Sequence, residues 1–219
     1  MKYYEIIIYS DLEVTGKYPQ VKDLKINFHE AKASQWGKIR EWKTDNDIPD
    51  LNNFVFQKNS KLTDIVTNNF VNITSGIFIS EKAKSVFDSF TINGNFYPIS
   101  IYELDKKHDY NFLWYEIGGK SQMNWKDSIF IEFNSFENKY GNVVKISDFE
   151  NYKSQSSKLR EIKKDWKLVP KLIIFKENFD ITPVFGISLI CNEKVKNAIE
   201  ENHLTGFLFK PVDIEISFK

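Results

Sequence analysis

Gly76-Ile77-Phe78-Ile79-Ser80-Glu81-Lys82-Ala83-Lys84 and Gly186-Ile187-Ser188-Leu189-Ile190-Cys191-Asn192-Glu193-Lys194-Val195-Lys196 are two versions of one pattern, set about half the chain apart. Each opens with Gly and a short apolar run, which reads as a strand. The run stops at Ser80 or Asn192, whose side-chain oxygen can accept a hydrogen bond from an orphan N–H of a helix's first turn. Glu81 and Glu193 then place negative charge where the helix dipole is positive. Ala83, Val86, Phe87 and Phe90 recur at i, i+3, i+4 and i+7, and Val195, Ala198 and Ile199 repeat the first three positions, so each helix carries an apolar stripe that must be covered. Gly94 and Gly206 lie in the turns that follow. Pro98 and Pro211 stand early in the next strands, where a missing N–H does least harm. The expected unit is strand, capped helix, turn, strand, at 76–104 and again at 186–216, with Ser80 and Asn192 at equivalent caps.

Working outward, further segments read as strands by alternation or by β-branched and aromatic enrichment: 3–9, 24–28, 97–104, 110–117, 128–133, 143–146, 168–175 and 211–218. In the last, Val212, Ile214, Ile216 and Phe218 share one face and Asp213, Glu215 and Ser217 the other, as in a sheet with one wet side. Thr44 to Asn59 is polar and turn-rich and reads as a long surface connection. Asn151 to Lys164, with weak helical spacing around Leu159, Ile162 and Trp166, reads as a partly exposed helix joining two lobes. The fold expected is α+β, with mixed or antiparallel twisted sheets, a few short helices and two related strand-helix-strand units. It forms one globular unit over 1–219, with two packed lobes of about 1–120 and 121–219 as a possible subdivision.

The chain has 219 residues, balanced at 30 Lys+Arg and 30 Asp+Glu, with 42% hydrophobic and 16% aromatic residues, one Cys and three His. This length buries a self-sufficient core without disulfides. Zero net charge argues against a general nucleic-acid binder, which needs a basic surplus or a segregated basic face. Arg occurs only at 40 and 160, and the Lys, Asn, Ile, Phe and Tyr excess matches what AT-rich codons supply. No apolar run approaches the roughly 18 residues of a membrane span, and the start, Met1 to Tyr9, reads as a strand and not as a secretory leader. A cytoplasmic location is the expectation, which makes the Asn72-Ile73-Thr74 sequon irrelevant.

Candidate chemistry is thin. His29, His108 and His203 fall in no metal-ligand spacing and read as loop or strand-end residues, with Glu30 and Asp109 too generic as neighbours. Cys191 precedes a helix N-cap, where a thiolate is favoured, yet it also ends an apolar strand and reads as a small buried hydrophobe. Asp45-Asn46-Asp47-Ile48-Pro49-Asp50 lacks the central Gly of a calcium loop and has Phe56 where the bidentate Glu belongs. Gly118-Gly119-Lys120-Ser121 has Trp114 in place of the first Gly of a phosphate loop and reads as a turn after a strand ending at Ile117. Glu200-Glu201 and Asp45/Asp47 read as solvated acids. No catalytic, cofactor-binding or metal residue is assigned, no cofactor is expected, and the partner-binding residues are unknown. The aromatics, among them Tyr3, Tyr4, Tyr9, Phe112, Trp114 and Tyr115, read as core, with interface anchors as the alternative.

At the repeat the sequence resembles a bacterial family of immunity proteins of polymorphic toxin systems. The resemblance rests on Ile79-Ser80-Glu81-Lys82-Ala83-Lys84, on Asn192 to Phe207, and on the terminal Leu204-Thr205-Gly206-Phe207-Leu208-Phe209-Lys210-Pro211-Val212. It spans about 76–104 and 186–216, and departs at His203, where Gly is expected at the helix end. It implies a cytoplasmic protein that binds a cognate toxin and neutralises it by occlusion, without catalysis, at an interface of at least about 1,200 Å². Toxin identity and oligomeric state stay open. A nonenzymatic adaptor of a secretion or surface system, or an enzyme in which a His meets a buried carboxylate, are the alternatives.

Overall fold

The computed structural model describes residues 2–25, 38, 48–68 and 76–219. Among the described residues, fourteen strands form three sheets, accompanied by four α-helices. In chain order the elements are β1 Tyr3–Ile8, α1 Leu12–Thr15, β2 Val21–Leu24, β3 Phe54–Phe56, β4 Ile65–Val66, β5 Gly76–Ser80, α2 Glu81–Phe87, β6 Asn95–Glu103, β7 Lys106–Trp114, β8 Ile129–Asn134, β9 Lys139–Val144, α3 Phe149–Ile162, β10 Trp166–Phe175, β11 Ile181–Pro183, β12 Leu189–Asn192, α4 Glu193–Glu201, β13 Phe207–Pro211 and β14 Glu215–Phe218. A 3-10 turn at Ile117–Gly119 follows β7. The class is α+β.

The duplicated pattern forms equivalent elements. Ser80 Oγ accepts from the Ala83 N–H at 3.1 Å, and Asn192 Oδ1 from the Val195 N–H at 3.1 Å. Each cap is held in turn by an aspartate: Ser80 Oγ donates to Asp64 Oδ1 (2.7 Å) and Asn192 Nδ2 to Asp180 Oδ1 (2.6 Å). Lys84–Asp88 and Lys196–Glu200 ion pairs occupy matching places on α2 and α4. Pro98 lies opposite Asn111 and Pro211 opposite Tyr4, residues that themselves lie opposite Ile79 and Cys191.

The equivalence extends to whole sheets. The first unit has the order β4-β5-β7-β6, with β3 and β2 added beyond β6, and the second has β11-β12-β1-β13. Every neighbouring pair within the two sets of four is antiparallel. The second unit therefore takes its counterpart of β7 from the start of the chain. A boundary near residue 120 would cut β1 away from the sheet to which it belongs.

The units are tied by a reciprocal exchange. Asp64 of the first accepts from Thr205 of the second, at 2.8 Å from the backbone N–H and 3.0 Å from Oγ1, while the Asp64 and Ile65 N–H groups donate to the Thr205 carbonyl. Conversely Asp180 Oδ2 accepts from the Thr91 N–H at 2.9 Å, and the Asp180 and Ile181 N–H groups donate to the Thr91 carbonyl. Thr91 and Thr205 are thus the matched residues after the helices, and Gly206 is not the partner of Gly94: by register Asn95 corresponds to Leu208, which sets Gly206 one position earlier. Gly206 is required for close approach, since at φ +88 a Cβ there would stand 2.6 Å from the Ile65 carbonyl. His203 supplies the left-handed residue after α4 at φ +50, the place where glycine is ordinarily found.

Both helix stripes enter one core, in which Ala83 and Phe87 meet Val195 and Ile199 with Ile79, Cys191, Leu113, Ile6, Ile65 and Ile181. The far face of the first sheet buries Phe54, Phe78, Ile101 and Phe112. The far face of the second, through Tyr3 and Ile190, packs on a third sheet, β14-β10-β8-β9, around Trp125, Phe130, Leu168 and Phe175. Each fully buried apolar side chain stabilises by ~1.5–3 kcal/mol.

Two expectations need correction. The connection from 44 to 59 is not wholly surface: Asp45 and Asp47 lie outside the described residues, but Phe54 and Phe56 form a buried strand between β2 and β6. Its three residues are too few for a period to show. The helix expected at 151–164 is α3, capped by Asp148, and it does not join lobes; it connects β9 to β10 and packs on β10. The segment 211–218 keeps its alternation of exposure, although β13 pairs with β1 and β14 runs parallel to β10.

Replacing Asp64 or Asp180 by Ala is expected to lower stability by about 2 kcal/mol or more each, because charge-assisted bonds and a cap are lost together. Urea midpoints at constant slope measure this, and a change below about 0.5 kcal/mol, as for an ordinary surface aspartate, contradicts the linking role.

Candidate functional site

β10 is the longest strand, and it is only half covered. β8 pairs with it from Trp166 to Leu172, whereas β14 pairs with it only from Leu172 to Phe175. Among the described residues no strand lies on the β14 side of Trp166–Lys171. A cavity of about 740 Å³ follows this open edge, touching every residue from Lys167 to Lys171. Consecutive strand residues point to opposite faces, so a space that meets all five must run along the strand's flank.

One wall is α3, where Tyr152, Ser156 and Arg160 recur every four residues and face the cavity. Tyr152 is fixed twice: its ring stands edge-on to Phe185 at 4.6 Å, and its hydroxyl donates to the Leu168 carbonyl at 3.1 Å. Burial pushes that hydroxyl's pKa up. Arg160 Nη2 donates to Ser156 Oγ at 3.4 Å, which holds the guanidinium over the opening. Behind Tyr152, Trp125 stacks on Phe130 and meets Phe149 and Phe185, giving a rigid aromatic backing. The second wall is the turn Phe185–Ile187 with Asp213 and Ile214.

The cavity continues onto the outer face of the sheet, where Ile131, Phe133, Tyr140 and Val169 stand together. Phe133 and Tyr140 have ring centroids 5.0 Å apart, and Lys167 Nζ lies 5.7 Å from the Phe133 ring. Beside them on the β8–β9 hairpin, Phe136, Tyr140 and Val143 are 90%, 63% and 62% exposed. The edge is unsuited to strand addition, since Pro170 has no N–H and the Leu168 carbonyl is already engaged. What it presents instead is an apolar trough with Arg160, Lys167 and Lys171 at its rim.

Neither described histidine lines the groove. His29 lies outside the described residues. His108, on β7, packs edge-on against Phe56, with Nε2 3.5 Å from Glu103 Oε2; its side chain is 11% exposed and that of Glu103 41%. Asp109 pairs with Lys107, not with His108. His203 is exposed after α4. Cys191 is fully buried, and burial pushes its thiol up to about 12. Gly118 and Gly119 form the 3-10 turn after a strand that ends at Trp114, three residues before the expected Ile117. Among the described residues no group of three or more His, Cys, Asp or Glu is placed to hold a metal ion, and no helix is long and apolar enough to cross a membrane.

Comparison with models of known protein families and with curated proteins finds no match. Arg160, Gly186, Ile187, Asp213 and Ile214 of this groove stand out in the sequence for other reasons, and none of the lining reads there as a binding site. The groove's one signal is the i, i+4, i+8 series of Tyr152, Ser156 and Arg160, which falls on a helix whose apolar pattern is weak.

Burial raises the Tyr3 and Tyr115 hydroxyls to about 12, as it does the Cys191 thiol. Unfolded, these groups ionise near about 10 and 8.5. Above those values the unfolded chain loses protons that the folded chain keeps, so their contribution is complete below about pH 8 and is lost as pH rises toward 12. Denaturation midpoints should therefore fall between about pH 8.5 and 11, and Cys191→Ala should flatten the first part of that fall. An unchanged slope in the variant contradicts the assignment.

Proposed function

We propose that this protein is a cytoplasmic immunity protein that binds a cognate toxin domain and neutralises it by occlusion, without chemistry. The observation that carries the reading is the apolar trough along β10 together with the exposed Phe136, Tyr140 and Val143 beside it. A contiguous apolar surface rimmed by charge is the usual mark of a protein interface. Buried aromatic anchors with a polar rim supply most of the energy of such contacts.

The resemblance to immunity proteins adds direction. Its residues are structural here: Ser80 and Asn192 cap helices, and Thr205 and Gly206 of the terminal motif join the two units. They belong to the scaffold and leave binding to other residues, as expected where partners differ and scaffolds persist. An exposed surface on a rigid sheet can vary its side chains without disturbing the duplicated core.

Co-expression with any toxin-like protein encoded beside this chain tests the reading. Growth rescue and a complex that survives gel filtration are expected. A toxin that remains lethal and uncomplexed counts against the proposal, and a gene neighbourhood with no toxin favours an adaptor role.

A further inference from the structure

We infer that the trough along β10 takes an acidic loop of the partner protein, in which an aromatic or aliphatic side chain enters the cavity and a neighbouring carboxylate pairs with Arg160. The inference rests on the toxin-binding reading and adds the chemistry of the contact.

Charge complementarity selects this occupant. Arg160, Lys167 and Lys171 line the cavity against the single carboxylate of Asp213. None of the three cations has a carboxylate partner among the described residues, whereas the nearby Lys163 is engaged with Glu132 at 2.9 Å. In a chain of zero net charge this is a local surplus of positive charge at an apolar opening. A desolvated contact rewards a partner that brings carboxylates and penalises one that brings lysines. Arg160 has the planar fork that matches a carboxylate bidentately, and its tie to Ser156 reduces the freedom lost on pairing.

Shape excludes the other main mode. An added strand needs a free row of backbone groups, and Pro170 together with the Leu168–Tyr152 bond removes part of that row. A space of about 740 Å³ backed by fixed rings suits side chains inserted from a loop. The partner segment is thus read through its side chains.

The test uses the full chain and the candidate toxin of that co-expression. Arg160→Gln combined with Lys167→Gln should weaken the complex at least tenfold, Arg160→Lys should restore only part of the loss, and Val169→Trp, which fills the trough, should abolish binding. Lys17→Gln, a cation elsewhere on the surface, should bind as the unaltered protein does, and circular dichroism should report equal folding throughout. Groove variants that bind within twofold of the unaltered protein overturn the inference while the toxin-binding reading stands. If the unaltered protein does not bind the toxin, that reading falls, and the groove is judged by a blocked hexapeptide alternating glutamate and phenylalanine. Amide shifts at Lys167, Leu168, Val169, Lys171 and Tyr152 that are lost in Arg160→Gln, and absent with a peptide alternating lysine and phenylalanine, are then expected. No shifts, or equal shifts with both peptides, overturn the inference.

Discussion

Two aspartates hold this molecule together. Asp64 and Asp180 each cap the cap of a helix in their own unit and receive the threonine of the other, so one carboxylate organises a local turn and a distant contact at once. Charge-assisted bonds of this kind are about twice as strong as neutral ones. The arrangement fixes how α2 and α4 approach, and thereby the shared core in which Phe87 and Ile199 face each other's units. The third sheet then rests on the back of the second unit through Tyr3 and Ile190, so the position of β10 depends on the same pair.

The local half of this design was readable in the sequence. Cap residues, dipole-matched glutamates and the apolar spacing of α2 and α4 all act within one or two turns, and they identify the repeat without reference to the rest of the chain. The long-range half was not. Asp64 and Asp180 precede their caps by 16 and 12 residues, and each meets a threonine 141 or 89 positions away. The fourth strand of the second unit lies at the opposite end of the chain, and β3 and β11 are three residues each, too short to show alternation. His203 stood out as a departure from glycine and proves to adopt glycine's conformation.

The groove was hidden for a different reason. It arises where β14 stops pairing with β10, a register fact that no composition or period records. Its tyrosines and lysines are ordinary in sequence, and the rarity of arginine in this chain says nothing of where Arg160 points; only their convergence on an uncovered flank distinguishes them. The contrast fits a protein whose scaffold is fixed by short-range rules and whose contact surface is set by what the scaffold leaves bare.

β1 is made well before its neighbours β12 and β13, which follow it far along the sequence. Until those strands are made, the run Ile6-Ile7-Ile8 lacks the neighbours it pairs with in the folded sheet. The first unit, by contrast, has the β6–β7 hairpin at its centre, a pairing between strands adjacent in sequence. The first unit is thus built from strands near one another in sequence, whereas the second is complete only when strands far apart along the chain have met, a pairing that carries the larger loop-closure cost.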